Sequence, residues 1–437
     1  MIKHCALLFF SLLLIFMPAA GEANPREEYE TAYKIYIAAG ASAAAYNDRA
    51  GTLASRYLQQ DGWRIDHYIQ PDGQNGMRFV LAQKEAGNAQ PVYVLAIVGT
   101  ETTGDVKMNL QVGKVFFAGT TVSEAASYAA LEDIPSSEPK VHKGFNRFVQ
   151  TGLEAVLRDP DNRSVSFPDL LEAVKTGKLL ITGHSLGGAA ATLIGARLLD
   201  AGAPPGHLEI ITFGAPAVGN TAFAQKYEPQ LNLIRVVMRG DPVTGALQTL
   251  VGGYRQFGRE ISWSNPPPGN DPHQLVGYID LAIKNYYDKR HAAGITPLPA
   301  QTAAADKPAD SVYIAPLHNQ LPSALKNDFH YMREALWDEY RQTLPGCTFG
   351  ADTADVKRQA QKLGFRWLII PEARAIRLQQ SQNTYYITLQ QTVYDVRTGN
   401  VVDTAIFSTA TSQLTPLEAF IHSFKGISAN TDHWLKK

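Results

Sequence analysis

The chain has 437 residues, 45% hydrophobic and 19% charged, enough for two or three domains with sizeable cores. Its 40 Lys plus Arg against 41 Asp plus Glu leave a net charge of −1, which excludes the basic footprint of a nucleic-acid binder. Gly and Pro are close to average usage and no long biased tract is present, so a disordered or fibrous chain is excluded as well.

Residues 1–23 have the three parts of a secretory signal: a short basic start at Lys3, an apolar run over 6–17, and Pro18 followed by small residues up to Ala23. A membrane anchor is the rival reading, but the run spans about 18 Å against a bilayer core of roughly 30 Å. Cys5 precedes the run, unlike an acylated lipoprotein cysteine, and is expected to leave with the signal. Cys347 is then the mature chain's single thiol, read as a small buried hydrophobe.

Residues 27–46 carry helical spacing, and 63–69, 77–82 and 92–98 alternate as strands. Beyond them 145–157 reads as an amphipathic helix, 179–182 as a strand, 186–199 as a helix, and 209–213 and 233–238 as strands. Strands alternating with helices predict an α/β fold with a mostly parallel sheet covered on both faces, and reactive residues gather past the carboxyl ends of such strands. The stretch 293–310, with its Thr-Pro-Leu-Pro and Ala-Ala-Ala, lacks either period and reads as a linker. It divides a first unit, 24–292, from a smaller α+β unit, 311–437, with helices expected over 325–343 and 354–363 and strands near 312–315, 367–370, 385–396 and 401–408.

The strand 179–182 runs directly into Gly183-His184-Ser185-Leu186-Gly187-Gly188 and then a helix. This is Gly-x-Ser-x-Gly in a strand-turn-helix setting, where the glycines permit a sharp turn that exposes the Ser185 hydroxyl. The helix amino terminus offers unpaired N–H donors and a positive dipole end for a developing oxyanion. The bland alternative is a glycine-rich turn with an idle serine.

A serine needs a base, and the base a carboxylate. The strand 233–238 ends in Arg239-Gly240-Asp241, which places Asp241 where an orienting acid belongs, although a lone loop Asp is more often a turn former or cap. In the chain order Ser, Asp, His, only His273 and His291 in the first unit qualify as base. His273 opens a helix after a Pro-rich loop, whereas His291 sits among Lys289 and Arg290 like a solvated helix end. His273 is the choice.

With these residues assembled, residues 29–287 resemble the class 3, fungal-type triacylglycerol lipases. Besides Gly-His-Ser-Leu-Gly-Gly, the chain has Val98-Gly99-Thr100 and Asp105-Val106-Lys107-Met108-Asn109-Leu110. It also has Val141-His142-Lys143-Gly144-Phe145, Thr212-Phe213-Gly214-Ala215-Pro216-Ala217-Val218-Gly219-Asn220, Asp241-Pro242-Val243 and His273-x-x-x-x-Tyr278. The resemblance implies an α/β-hydrolase fold with Ser185 as nucleophile, Asp241 as acid, His273 as base, and an oxyanion hole from the N–H groups of Thr100 and Leu186. It implies a structural role for His142. Val98 stands where the family has Arg, Val106 where it has Trp, and the interval from Asp241 to His273 is shorter than in the fungal enzymes. The family places a mobile lid between Thr100 and His142, where Val112, Val115, Phe116 and Phe117 form either a flap or a fixed cover. The carboxyl-terminal unit is similar in pattern to small α/β domains of bacterial envelope proteins such as the amino-terminal domain of TolB, which implies docking to an envelope partner; the alternative is a stabilising appendage.

The leading expectation is a secreted or periplasmic serine carboxylic-ester hydrolase, a triacylglycerol lipase taking lipid at a lipid–water interface, with no metal or organic cofactor. A phospholipase or acyltransferase with the same triad is the alternative within enzymes. A retired lipase fold used as a binding module is the alternative outside them.

Overall fold

The structure is a computed structural model that describes residues 24–46, 48–69, 78–84, 90–99, 113–154, 157–159, 161, 163–264, 271–295, 311–351, 355–378 and 384–435. The expected signal, Thr100, the 105–110 block, Val112 and most of the expected linker lie outside the described residues.

Helix α1 (Pro25–Ala44) begins where the Asn24 side chain accepts from the Arg26 amide at 3.1 Å and Pro25 presets φ for the first turn. Helix α2 (Arg49–Gln60), unassigned from sequence, is capped by Asp48 on the Gly51 amide at 2.8 Å. Strands β1 (Arg64–Ile69), β2 (Arg78–Lys84) and β3 (Val92–Ile97) form a meander. A small ladder of β4 (Lys114–Phe116) with β5 (Lys140–His142) encloses α3 (Val122–Ala129), and α4 (Lys143–Glu154) follows. Next come β6 (Leu157–Arg158), β7 (Ser164–Val165), α5 (Phe167–Thr176), β8 (Lys178–His184), α6 (Leu186–Asp200), β9 (Leu208–Phe213), α7 (Thr221–Tyr227), β10 (Asn232–Met238), α8 (Val243–Ala246), β11 (Arg259–Trp263) and α9 (Leu275–Ala292).

These strands build one sheet in the order β11-β10-β9-β8-β3-β2-β1-β6-β7. From β11 to β3 every pairing is parallel; from β3 outward every pairing is antiparallel, and for β1, β2 and β3 the short connections leave no room for a crossover helix. The site-bearing half is therefore the expected parallel sheet. Strand β8 is buried after its first residue, and its alternation decides the layers. Leu179 and Ile181 join the core under α4, α5 and α6, while Leu180 joins the core under α1 and α9. Helix α6 is apolar nearly all round and buried from Gly187 to Leu198, as a helix in the middle of a core must be.

The second unit holds β12 (Val312–Ile314), β13 (His318–Gln320), α10 (Phe329–Thr343), β14 (Thr348–Phe349), α11 (Val356–Lys362), β15 (Trp367–Arg377), β16 (Tyr385–Asp395), β17 (Val401–Ala410), α12 (Pro416–His422) and α13 (Ile427–Leu435). Its sheet runs β14-β12-β15-β16-β17, with β13 also on β15. The helix expected over 325–343 starts only at Phe329, because Ser323–Asp328 winds as a 3-10 turn. Cys347 is buried, and burial pushes its thiol up to about 12, so it is the inert apolar side chain expected from sequence.

The two units share one apolar cluster that runs from Ile35 and Ile283 to Leu336, Phe420 and Trp434. The junction is also polar. Arg290 on α9 pairs with Glu334 at 3.0 Å and Asp338 at 2.7 Å, and the Thr415 hydroxyl donates to Asp280 at 2.7 Å. Thr415 and Glu418 form a capping box for α12, and Glu418 is 1% exposed. Burial, outweighing the Thr415 amide, pushes the Glu418 carboxyl from 4.5 up to about 8. A carboxyl raised in the fold contributes stability that is complete below its unfolded value and lost as pH rises through the folded one. Glu418→Gln is therefore expected to melt near wild type at pH 5 and about 2–4 °C or more above it at pH 8.5. Differential scanning calorimetry at the two pH values checks this; parallel wild-type and variant curves would place an ionised carboxylate there.

Candidate active site

Three loops at the carboxyl ends of the parallel strands converge. Ser185 lies between β8 and α6, Asp241 follows β10, and His273 precedes α9. The turn at Ser185 has φ 56° and ψ −123°, a conformation that non-glycine residues rarely occupy and that costs of order 1–3 kcal/mol. The close approach that holds it explains Gly187, where a Cβ would collide with the Ile97 carbonyl.

His273 Nε2 lies 2.9 Å from Ser185 Oγ, and His273 Nδ1 lies 2.9 Å from each Asp241 carboxylate oxygen. All three are nearly withdrawn from solvent, at 3% exposed for Ser185 and His273 and 6% for Asp241. A carboxylate only accepts, so Nδ1 carries the proton and Nε2 faces Ser185 with its lone pair. The sequence placed these residues on separate loops; the structure brings them into one hydrogen-bonded line. Leu186 opens α6, and its amide is among the first four of a helix that find no acceptor within it. Thr100, the other expected oxyanion donor, is outside the described residues. His291 is exposed in the last turn of α9.

Several residues that sequence reasoning did not assign hold this line in place. The Tyr278 hydroxyl donates to Asp241 Oδ2 at 2.7 Å and accepts from the Met238 amide at 2.9 Å. Burial pushes that phenol well above its usual range, so it remains a donor. The Val243 amide donates to Asp241 Oδ1 at 2.9 Å, and the His273 amide donates to Asp271 at 2.9 Å. Gly214, at φ 57°, passes so close that a Cβ there would stand 2.6 Å from Asp241 Oδ2.

His184, the neighbour of Ser185, points toward the His273 loop. Its Nε2 donates to the His273 carbonyl at 2.7 Å, and its ring lies 4.7 Å from the His273 ring. Burial pulls its imidazole down to about 3, so it is a neutral strut. His142 is a different kind of strut: its Nδ1 accepts from the Gly144 and Phe145 amides at 3.1 and 3.3 Å and caps α4. Burial and Lys114 pull it down to about 4.

The lid reading fails for part of its segment. Val115 and Phe116 are in β4, paired to β5, and Phe117 is 1% exposed, edge-on to Phe223 and Tyr227 with the Arg197 guanidinium 3.6 Å from its ring centre. Residues 114–117 are a fixed cover, held by strand pairing and packing.

Tyr278→Phe is expected to lower kcat/KM about tenfold and to cost about 1–2 kcal/mol of stability, because the Met238 amide and one Asp241 oxygen each lose a partner. Without the Tyr278 hydroxyl the Asp241 carboxylate can turn out of line with His273 Nδ1, so the rate loss should appear in kcat rather than in KM. Wild-type kcat with lost stability would make Tyr278 structural only.

Residues 94–249 match the family profile described as Lipase (class 3). Over this segment the chain is similar to the class 3 lipases. The matched residues include Ser185 and Asp241; the match stops before His273 and covers none of the second unit. A secreted mono- and diacylglycerol lipase from Fusarium solani is 34% identical over 131 residues, 30% of this chain and 36% of that protein. A lipase from Rhizopus niveus is 39% identical over 99 residues, 22% of this chain and 23% of that one. The chain thus spans 36% and 23% of these two relatives' lengths. A solved lipase structure from Rhizopus microsporus var. chinensis superimposes with a TM-score of 0.38 at 23% identity, covering 56% of this chain and 76% of that one.

Proposed function

We propose that the protein is a serine carboxylic-ester hydrolase acting on lipid esters after export, with acylglycerols as substrate and residues 24–292 as its catalytic unit. One observation carries the reading: the continuous line Ser185 Oγ, His273 Nε2, His273 Nδ1, Asp241, built on a strained strand-to-helix turn. Ser185 Oγ attacks the ester carbonyl as its proton passes to His273 Nε2. Asp241 stabilises the resulting imidazolium and keeps its orientation. The carbonyl oxygen takes up negative charge at the amino terminus of α6, with Leu186 N–H and Thr100 N–H as the assigned donors. His273 returns the proton to the leaving alcohol, water repeats the cycle on the acyl-Ser185 ester, and the acid departs.

Two further observations support a lipid substrate. Leu250 is 84% and Val251 41% exposed on the turn that follows α8, so apolar side chains face solvent nine and ten residues beyond Asp241. The Fusarium relative carries a name that specifies mono- and diacylglycerols. A fluorophosphonate probe is expected to label wild type and not Ser185→Ala. Turnover of p-nitrophenyl esters is expected to rise with chain length, and emulsified dioleoylglycerol to be preferred over phosphatidylcholine. A preference for phosphatidylcholine would make the protein a phospholipase, and folded wild type with neither labelling nor turnover would sink the hydrolase reading in favour of a binding module.

A further inference from the structure

A cavity of about 620 Å³ lies between the two units, and no triad residue lines it. Small-ligand sites span roughly 300–1,000 Å³. Its walls follow α1 from Tyr29 to Gly40 and α9 from Ile279 to Arg290, with α2 beside them and α10 and α12 closing it from the second unit. Eleven residue steps along each of α1 and α9 amount to about 16 Å at 1.5 Å per residue. The space is long, which suits an extended chain better than a ring system.

The wall chemistry narrows the occupant. Most of the surface is carbon, from Ile37, Leu53, Leu58, Ile283 and the rings of Tyr33 and Tyr36. The charged groups at its margin are already engaged. Arg290 is held by Glu334 and Asp338, Arg341 by Asp338 at 2.9 Å, and Asp61 by Lys84 at 2.9 Å and the Tyr33 hydroxyl at 3.1 Å. Glu339 has the Arg56 guanidinium at 4.0 Å, so the cations beside Asp61, Asp338 and Glu339 each already face a carboxylate, and an anionic head gains no unengaged partner from them. A cationic head fares no better: Tyr36 and Tyr286 stack on each other at 4.9 Å, and Arg290 already sits 5.5 Å from the Tyr286 ring centre and 4.7 Å from that of Tyr287. Those ring faces are therefore taken, and a guanidinium already stands beside them. Uncharged polar groups remain. Glu418 Oε1 is buried with no hydrogen-bond partner among the described residues, and burial favours its protonated form, while burial also keeps the Tyr36 and Tyr286 phenols protonated.

We infer that this cavity is a second lipid site, which binds one long acyl chain with an uncharged, hydroxyl-bearing head of the monoacylglycerol type. The inference stands apart from the chemistry at Ser185, and the Ser185→Ala protein keeps the two separable, since it cannot consume the probe by that route. Equilibrium dialysis of radiolabelled 1-monooleoylglycerol, below its aggregation concentration, is expected to show saturable binding of one equivalent to the full-length Ser185→Ala chain. Ala54→Trp on one wall and Ala335→Phe on the other should each weaken it about tenfold or more with the melting temperature held. In the protein with its cavity intact, 1-monooleoylglycerol should slow amide hydrogen exchange within 29–40 and 279–290. Unchanged affinity in folded variants, or protection confined to 183–188, would place the lipid in the Ser185 site and overturn the inference. Oleate binding as tightly as monooleoylglycerol would overturn the uncharged head.

Discussion

Ser185→Ala and His273→Ala are each expected to lower kcat on a long-chain ester by about 10⁵–10⁶-fold, and the double variant to lose no more than either single one. The reason is geometric. With Nε2 at 2.9 Å from Oγ, the hydroxyl is nucleophilic only while the imidazole can take its proton, so each residue is useless without the other. Losses that multiply in the double variant would mean that the two side chains act independently, and the assigned roles would fall. The fold should survive. Alanine keeps a Cβ at φ 56°, so Ser185→Ala should melt near wild type, whereas Ser185→Gly removes the backbone strain and should melt above both. A Ser185→Gly protein that melts below Ser185→Ala would show that the turn is not strained.

How much of this arrangement can be read from the amino acids depends on how local each part is. The turn at Ser185 is encoded within six consecutive residues, and the continuous apolar run before it marks a strand buried on both faces, so nucleophile and setting are both legible. Asp241 follows from the end of a strand, and His273 from chain order among the candidate histidines. What holds them is not local. Tyr278 meets Asp241 only because α9 packs under the sheet, and His184 meets the His273 carbonyl only once both loops have closed; both residues stand in the blocks that carry the family resemblance, but nothing in those blocks states the contact each makes. Helix α5 has a readable start in Ser166-Phe167-Pro168-Asp169, a capping box with Pro in the first turn, but its buried residues are only Phe167, Leu170 and Val174, too few to set a helical period. The cover formed by residues 114–117 was ambiguous for a different reason: a short apolar stretch has the same composition whether it is a flap or a packed strand, and only its partner strand, some 25 residues later, decides. The cavity was wholly illegible, since its walls come from helices near both ends of the first unit and from the second unit.

Asp241→Asn is expected to lower kcat by about 10⁴-fold with KM nearly unchanged. Both Asp241 oxygens are acceptors: Oδ1 from the Val243 amide, Oδ2 from the Tyr278 hydroxyl, and both from His273 Nδ1. The Val243 amide cannot turn, so the asparagine carbonyl must take the Oδ1 place and its NH₂ the Oδ2 place. There the amide meets the Tyr278 hydroxyl, whose oxygen already accepts from Met238, and it offers a hydrogen to Nδ1. An imidazole that accepts at Nδ1 carries its proton on Nε2, facing Ser185, and cannot act as base. Even in the other tautomer, the negative charge that stabilises the imidazolium is gone. Because the isosteric change leaves the packing intact, the loss should appear in kcat alone, and Asp241→Asn with Tyr278→Phe should be less than additive, as both act on one carboxylate. A loss of tenfold or less in Asp241→Asn would move the orienting acid elsewhere. Asp271, which already accepts from the His273 amide at 2.9 Å, would then be the carboxylate to test.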